Sequence, residues 1–151
     1  VLKERKNFRG TGIDVSKECI NVSKYNTKVL NLKNRTKFYN CDVDKFLIGK
    51  YDVIVSNPPY IKSFDLKYLE RDVMGFEPHL ALDGGCDGLY KIIKVINKAS
   101  ALIKRNGIFI LEIGHEQKNK IVEILRAKGF YIKEKIKDYG KKYRCIVATK
   151  I

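Results

Sequence analysis

The 151-residue sequence contains no tryptophan, one methionine, two histidines and three prolines. No apolar run approaches the roughly 20 residues that a membrane-spanning helix requires, and the N-terminal residues show no signal-peptide pattern. The four cysteines are scattered without a Cys-x-x-Cys pair, and His79 and His115 lie far apart. These absences argue against a membrane partner, a metal site and a disulfide framework, and they predict reduced thiols in a cytoplasmic protein.

The composition predicts one globular domain over residues 1–151. Hydrophobic residues make up 44% of the chain and charged residues 32%, which is typical of a soluble domain with a real core. The net charge of +14 could indicate a nucleic-acid partner. Because lysines occur along the whole chain and no long basic run contains interleaved aromatics, nucleic acid stays a secondary hypothesis.

Two of the three prolines stand side by side at the end of the stretch Tyr51–Tyr60, which reads YDVIVSNPPY. Its apolar part is rich in β-branched residues and predicts a strand buried on both faces of a parallel sheet. Two successive prolines cannot donate to a ladder, so the strand must end there. Since ligands of open α/β sheets bind at the carboxyl ends of strands, the following loop is a candidate active site.

The loop Asn57-Pro58-Pro59-Tyr60 has the groups needed to hold a planar NH2 group. Such a nitrogen is a poor nucleophile because its lone pair is delocalised, and it must therefore be oriented. The Asn57 side-chain oxygen and a backbone carbonyl can each accept one N–H, and the prolines fix φ and hold that carbonyl in place. Tyr60 presents a flat face to a planar amide or base. The loop thus predicts catalysis by positioning, with a surface Asn-Pro turn as the alternative interpretation.

The hydrophobic periodicity predicts an α/β fold with a parallel sheet, because strands and helices alternate along the chain. The predicted elements are a strand at 11–15, a helix from Ser16 to about Leu30, strands at 36–39 and 51–56, a helix from about Asp87 to Lys104, a strand at 108–113, a helix at 117–128 and closing strands at 130–136 and 144–151. Residues 1–8 read as the tail of a helix, and Asn106-Gly107 as a helix stop. Residues 61–88 read as a long irregular loop, a kind of segment that is usually functional or disordered.

Two acidic residues follow predicted strands in the first third of the chain. Asp14, at the end of the first strand, is placed to accept ribose hydroxyls, with a turn or helix-cap role as the alternative. Asp42 follows the second strand and could accept an adenine amino proton while Val43 packs against the ring.

These features resemble the S-adenosylmethionine-dependent methyltransferases with a Rossmann-like sheet, and among them the peptide chain release factor N5-glutamine methyltransferases of the HemK type. The stretches that carry the resemblance are SNPPY at 56–60, FEPHLALDGGCDGL at 76–89, LEIGHEQ at 111–117 and DYGKKYR at 138–144. Many amino-methyltransferases share the Asn-Pro-Pro-Tyr loop, but far fewer carry the Phe-Glu-Pro to Gly-Leu stretch after it.

The resemblance implies a methyl transfer from S-adenosylmethionine to the glutamine amide of the Gly-Gly-Gln motif in release factors, by a protein that is monomeric at full length. The residues that would hold the glutamine amide are Asn57, Pro58, Pro59 and Tyr60. The residues that would contact the cofactor are Asp14, Asp42, Val43 and Asn57.

The chain departs from the family's pattern at its beginning. The family's catalytic domain starts with a strand and a glycine-rich loop, preceded by a small helical domain that helps recognise the release factor, and this chain starts at Val1 without either. Because that strand lies at the centre of the family's sheet, between the strands that end at Asp14 and Asn57, we expect a sheet with a gap and unpaired edges. The chain therefore reads as an N-terminally truncated catalytic domain, either a fragment or a gene remnant.

Two alternatives remain open at this point. An adenine amino-methyltransferase acting on DNA or RNA would suit the same loop, because its substrate also presents a planar NH2 group. Phe76-Glu77-Pro78 favours a protein substrate, whereas the charge weakly favours nucleic acid. A non-catalytic module that binds protein or nucleic acid would fit the missing glycine-rich loop.

Overall fold

A computed structural model describes residues 1–68 and 78–151 of the chain. Their strands are β1 (Gly10–Asp14), β2 (Thr36–Asn40), β3 (Tyr51–Ser56), β4 (Ile103–Glu112), β5 (Phe130–Lys137) and β6 (Tyr143–Lys150). Their helices are α1 (Lys17–Val29), α2 (His79–Leu82), α3 (Tyr90–Leu102) and α4 (Lys118–Ala127). The chain divides into two compact units, Val1–Leu47 and Ile48–Ile151. This division does not test the single-domain expectation, which stays a prediction.

The first unit is a β1–α1–β2 motif with its two strands parallel. Ser16 caps α1 as predicted, because its hydroxyl accepts a hydrogen bond from the Cys19 N–H at 3.1 Å. Ile20 is the buried residue of this helix. Asp14 lies opposite Asn40 in the ladder, so both strands end at the same edge of this small sheet.

The expectation of a helix tail over residues 1–8 is wrong, because these residues form turns. The guanidinium of Arg35 holds the turns together. Its Nη1 donates to the carbonyls of Arg5, Lys6 and Phe8 at 2.8–3.0 Å, and its Nη2 donates to the carbonyl of Leu2 at 2.8 Å.

The second unit contains a four-stranded sheet in the order β3-β4-β6-β5. β3 and β4 are parallel, while β4–β6 and β5–β6 are antiparallel. The sheet of this unit is therefore mixed. The prediction of parallel strands holds within it for β3 and β4, as it does for β1 and β2 in the first unit, and the predicted closing pair is confirmed. Fully buried side chains from β4, β6, α3 and α4 form its core: Phe109, Leu111, Ile146, Ile92, Ile96, Ile121 and Leu125.

The expected helix stop at Asn106-Gly107 is wrong, because α3 ends at Leu102 and both residues lie inside β4. Asn106 has a φ of 62°, a conformation that Asn tolerates better than most residues. The ladder to β3 skips here, from Tyr51 opposite Ile103 to Val53 opposite Ile108. The Asn-Gly pair thus makes an irregularity within the strand.

β3 is half-buried rather than buried on both faces, which corrects the prediction from its apolar run. Ile54 packs against the core, while Val53 is 42% exposed and Val55 is 67% exposed. Alternate residues of a strand point to opposite faces, so the face that carries the two valines is uncovered. The apolar run indicates the strand correctly but cannot show what covers it.

The described strands form two separate sheets, β1-β2 and β3-β4-β6-β5. Within them, β1 has β2 as its partner and β3 has β4, so each strand keeps one unpaired edge. The unpaired edges agree with the expectation for β1 and β3, whereas the expected gap between these strands stays a prediction.

Among the described residues, no helix is both long and apolar enough to cross a membrane. The same residues contain no group of three or more His, Cys, Asp or Glu side chains arranged to hold a metal ion.

Candidate functional site

The loop Asn57-Pro58-Pro59-Tyr60 begins directly after Ser56, the last residue of β3. Asn57 is exposed, Pro58 is buried, and Pro59 and Tyr60 are half-buried. The side chain of Tyr60 packs against the core. The loop is therefore anchored on both sides of an exposed Asn57 amide that faces solvent.

The Tyr60 hydroxyl makes a long hydrogen bond of 3.4 Å to Oε1 of Glu112, at the end of β4. Burial raises the pKa of Tyr60, the charge of Glu112 adds to this effect, and Arg144 opposes it. Tyr60 therefore keeps its proton at neutral pH and is unsuited to act as a base. This fits a site that works by positioning.

A side-chain amide fixes the backbone that follows the loop. Nε2 of Gln117 donates to the Tyr60 carbonyl at 3.0 Å and to the Gly88 carbonyl at 3.1 Å, while its Oε1 accepts from the Gly114 N–H at 3.0 Å. We name this arrangement the Gln117 clasp. It ties the end of the Asn57 loop to the segment before α3 and to the end of β4.

The segment before α3 approaches Tyr60 so closely that only glycine fits. A Cβ added to Gly88, whose φ is +72°, would lie 2.5 Å from the Tyr60 carbonyl oxygen. A Cβ added to Gly84 would lie 2.9 Å from the Tyr60 Cα. Gly84 and Gly88 are therefore required by close backbone contact, whereas glycine at position 85 is favoured by a φ of +93°.

Asp83 holds the same segment from its other side. Its Oδ1 accepts from the Ser63 hydroxyl at 2.6 Å and from the Gly85 N–H at 2.9 Å. These bonds, first that of Ser63, lower the pKa of Asp83, so the carboxylate stays ionised at neutral pH. The segment that follows the loop is thus linked to the 83–88 turn through Ser63.

Sequence reasoning named the four residues of the loop but assigned no role to Glu112, Gln117 or Asp83. These residues lie in the stretches LEIGHEQ and FEPHLALDGGCDGL, which supported the family resemblance without indicating a role for any single residue in them. The sequence signal that could have indicated these residues was a polar side chain soon after a predicted buried strand. Phe76 and Glu77 of the second stretch lie outside the described residues.

The Gln117 clasp yields a prediction for stability. Gln117→Ala leaves two carbonyls and one N–H without their partner, which should lower the free energy of unfolding by about 1–3 kcal/mol. Gln117→Glu keeps the acceptor for Gly114 but removes both donated bonds and sets a negative carboxylate against the two carbonyl oxygens, so it should lose at least as much. Urea denaturation measures both variants, with Asn119→Ala on the exposed side of α4 as the control. A Gln117→Glu variant as stable as the parent would show that the donated bonds contribute nothing.

In the first unit, Asp14 and Asp42 lie half-buried at the same end of the β1-β2 sheet. Oδ1 of Asp14 accepts from the Ser16 N–H at 2.8 Å, and Oδ1 of Asp42 accepts from the Asp44 N–H at 3.0 Å. Val43 follows as a half-buried side chain. Both carboxylates thus stabilise local turns, as the alternative interpretation of Asp14 anticipated, and their role toward a cofactor stays a prediction.

The predicted cofactor residues Asp14, Asp42 and Val43 all belong to the first unit, and the predicted amide-holding residues to the second. A shallow cleft of the first unit contains none of the three. It is lined by Lys24, Tyr25, Thr27, Lys28, Lys33, Thr36 and Phe38. We therefore do not assign a cofactor to this cleft.

Sequence comparison places residues 1–149 in a family described as a methyltransferase domain. The chain is 36% identical over 153 residues to the release factor glutamine methyltransferase of Clostridium acetobutylicum, covering 99% of this chain and 54% of that protein. It is also 36% identical to the enzyme of the same name from Rhodospirillum rubrum, covering 99% of this chain and 46% of that protein. The chain spans about half the length of the curated relatives it matches.

Solved structures show the same fold at low sequence identity. A methyltransferase from Pyrococcus furiosus aligns with a TM-score of 0.66 and 20% identity, covering 98% of this chain and 65% of that one. An S-adenosylmethionine-dependent methyltransferase from Clostridium acetobutylicum aligns with a TM-score of 0.63 and 12% identity, covering 94% of this chain and 75% of that one. The expected Rossmann-like methyltransferase fold is confirmed.

Proposed function

This chain belongs to the methyltransferase domain family, and from that premise we propose that the protein methylates the side-chain amide of a glutamine in peptide chain release factors. The activity is proposed for the protein as a whole, because the chain spans about half the length of its curated relatives. The expectation of S-adenosylmethionine as cofactor is confirmed by the family match. The Gly-Gly-Gln motif as the site of methylation is the finer part of the proposal.

The Asn57 loop is the part of the chain that would hold the glutamine amide. Oδ1 of Asn57 accepts one N–H of the amide and the Pro58 carbonyl accepts the other, which turns the nitrogen lone pair toward the incoming methyl group. Pro59 limits the movement of that carbonyl because its ring fixes φ. The ring of Tyr60 supports the planar amide from one side.

Bound S-adenosylmethionine supplies an electrophilic methyl group on a sulfonium sulfur. The half-buried carboxylates of Asp14 and Asp42 are acceptors of the kind that ribose hydroxyls and an adenine amino group require, and Val43 offers an apolar contact to the adenine ring. The acceptor chemistry of this first-unit edge thus fits the cofactor.

The reaction needs no strong base at the site. With S-adenosylmethionine bound, the oriented amide nitrogen would take its methyl group, the thioether would leave, and the nitrogen would become more acidic. Its proton then leaves to water, which reaches the exposed Asn57. Tyr60, whose pKa is raised by burial, keeps its proton throughout and contributes its ring.

A single observation carries the proposal. The loop with the chemistry to orient an NH2 group lies at the carboxyl end of a parallel strand, and its far end is immobilised by the Gln117 clasp. Orientation of a weak nucleophile depends on rigidity of this kind.

The test is a transfer assay with the full-length protein and methyl-tritiated S-adenosylmethionine. We expect label on a release factor, and no label on a release factor whose Gly-Gly-Gln glutamine is replaced by alanine. DNA and RNA serve as competing acceptors in separate reactions. Label on nucleic acid alone would assign the protein to the adenine amino-methyltransferases and contradict the proposal.

A further inference from the structure

The positive charge of the second unit is concentrated in its last part. Residues 48–117 contain nine Lys or Arg and nine Asp or Glu. Residues 118–151 contain eleven Lys or Arg but only three Asp or Glu. The even spread of lysines expected from the composition therefore does not hold within this unit. A general bias toward lysine would charge both parts, so the difference requires a local reason.

The turn between β5 and β6 is ordered by its backbone and by one carboxylate. Asp138 accepts from the Lys142 N–H at 2.9 Å and from Nε of Arg144 at 3.0 Å, and backbone bonds of 2.8–2.9 Å join Asp138 to Lys141 and Lys142. The bond from the Lys142 N–H, followed by that of Arg144, lowers the pKa of Asp138. The turn thus neutralises Arg144 but uses no lysine side chain.

Two lysines converge on one ring beside this turn. Nζ of Lys118, at the start of α4, lies 4.5 Å from the centre of the Tyr143 ring, and Nζ of Lys137 lies 4.9 Å from it. Within the described residues, no carboxylate oxygen lies within 4.0 Å of the ammonium groups of Lys118, Lys137, Lys141 or Lys142. The Tyr143 ring therefore collects two ammonium charges that no carboxylate of residues 1–68 and 78–151 pairs with.

Tyr139 stands at the tip of the same turn with its side chain fully exposed. Exposed single hydrophobic residues are common, but this one is an aromatic ring on an ordered turn between lysines. We define the hairpin end as Lys137–Tyr143 together with Lys118. It combines the positive charges of four lysines with the exposed ring of Tyr139.

We propose that the hairpin end binds the phosphodiester backbone of single-stranded nucleic acid, with Tyr139 stacking on a base. Lysines act as point charges that suit successive phosphates, and an exposed ring stacks on any base because every base has a π-face. An acidic protein surface would use the charges but would leave Tyr139 without a role. This surface lies outside the Asn57 loop and goes beyond the proposed methyl transfer.

The test measures binding of the purified protein to a fluorescein-labelled uridine homopolymer of about 20 nucleotides by fluorescence anisotropy. Changing Lys118, Lys137, Lys141 and Lys142 together to Gln should weaken binding about 10²-fold at moderate salt and reduce the slope of log K against log salt by about 2 to 3. The matched control changes Lys3, Lys6, Lys17 and Lys28 to Gln, which removes the same charge elsewhere. Thymidine DNA of the same length tells the two nucleic-acid types apart.

A pair of single substitutions keeps the test informative if the fourfold variant melts early. Tyr139→Ala should weaken binding about tenfold through loss of stacking, and Tyr139→Phe should bind like the parent. Tyr139 is fully exposed, so neither change should alter the melting temperature.

Three results would overturn the proposal. Equal losses in the two fourfold variants would show that binding follows net charge alone. Polyglutamate binding as tight as RNA binding, without an effect of Tyr139→Ala, would assign the hairpin end to an acidic protein. Absence of RNA and DNA binding at low salt would remove the surface from consideration as a nucleic-acid site.

Discussion

Asn57→Ala is expected to lower the turnover of the full-length protein about 10²–10³-fold, the usual cost of losing one positioned transition-state hydrogen bond. The substitution removes one of the two acceptors that orient the glutamine nitrogen. That hydrogen bond should strengthen as the nitrogen attacks, because its protons become more acidic. The loss should therefore appear in kcat more than in cofactor affinity, and steady-state kinetics with a release factor measures both.

Asn57→Asp distinguishes the effect of the acceptor oxygen from the effect of an added charge. It keeps an acceptor oxygen and the size of the side chain. It also adds a negative charge, which stabilises the positively charged cofactor in the bound state before methyl transfer. The positive charge on sulfur disappears during the reaction, so this variant should bind the cofactor at least as well and still react more slowly.

Asp14→Ala provides the opposite pattern, because its proposed role is to hold the cofactor ribose. It should weaken cofactor binding, with a smaller change in turnover at saturating cofactor. If Asn57→Ala behaved in this way and left turnover intact, the Asn57 loop would be structural and the site assignment would be wrong.

Gly88→Ala is expected to cost about 3 kcal/mol of stability, from a left-handed φ that alanine resists and from crowding in a packed site. The new Cβ would lie 2.5 Å from the Tyr60 carbonyl oxygen and 2.7 Å from Nε2 of Gln117. Backbone must move to relieve the first contact, and this breaks the Gln117 clasp. For a unit of this size the loss corresponds to a fall of roughly 10–20 °C in melting temperature, measured by thermal denaturation.

Gly129→Ala is the matched control, because Gly129 has nearly the same φ, +74° against +72°. Its new Cβ would meet only the flexible end of Lys150, at 3.0 Å. The difference between the two variants therefore isolates crowding at Tyr60 from the penalty on φ. Equal losses of stability would mean that the close approach at Tyr60 has no energetic effect.

The site could be predicted from sequence where its signal is local. The apolar run before Asn57 and the paired prolines after it indicate a strand and its end, because periodicity and the missing proline N–H act over a few residues. Ser16 marks the start of α1 for the same reason. The acceptor chemistry of Asn57 follows from its side chain alone.

The clasp could not be predicted in this way. Gln117 is 57 positions from Tyr60 and 29 from Gly88, and nothing in its local sequence shows which carbonyls its amide will meet. The helix stop predicted at Asn106-Gly107 fails for a related reason, since a pair that commonly ends helices here makes an irregularity inside β4, between the residues that pair with Tyr51 and Val53 of β3.

The sequence by itself determined the order of most elements, the alternation of strand and helix, and the chemical groups at the strand ends, because these depend on residue type and short-range spacing. The tertiary structure alone decided that β3 leaves Val53 and Val55 exposed, that Gly84 and Gly88 must be glycine, and that Lys118 and Lys137 meet at the Tyr143 ring. Each of these depends on contacts between segments far apart in the chain. Burial and close approach are properties of the packed structure, and no local pattern encodes them.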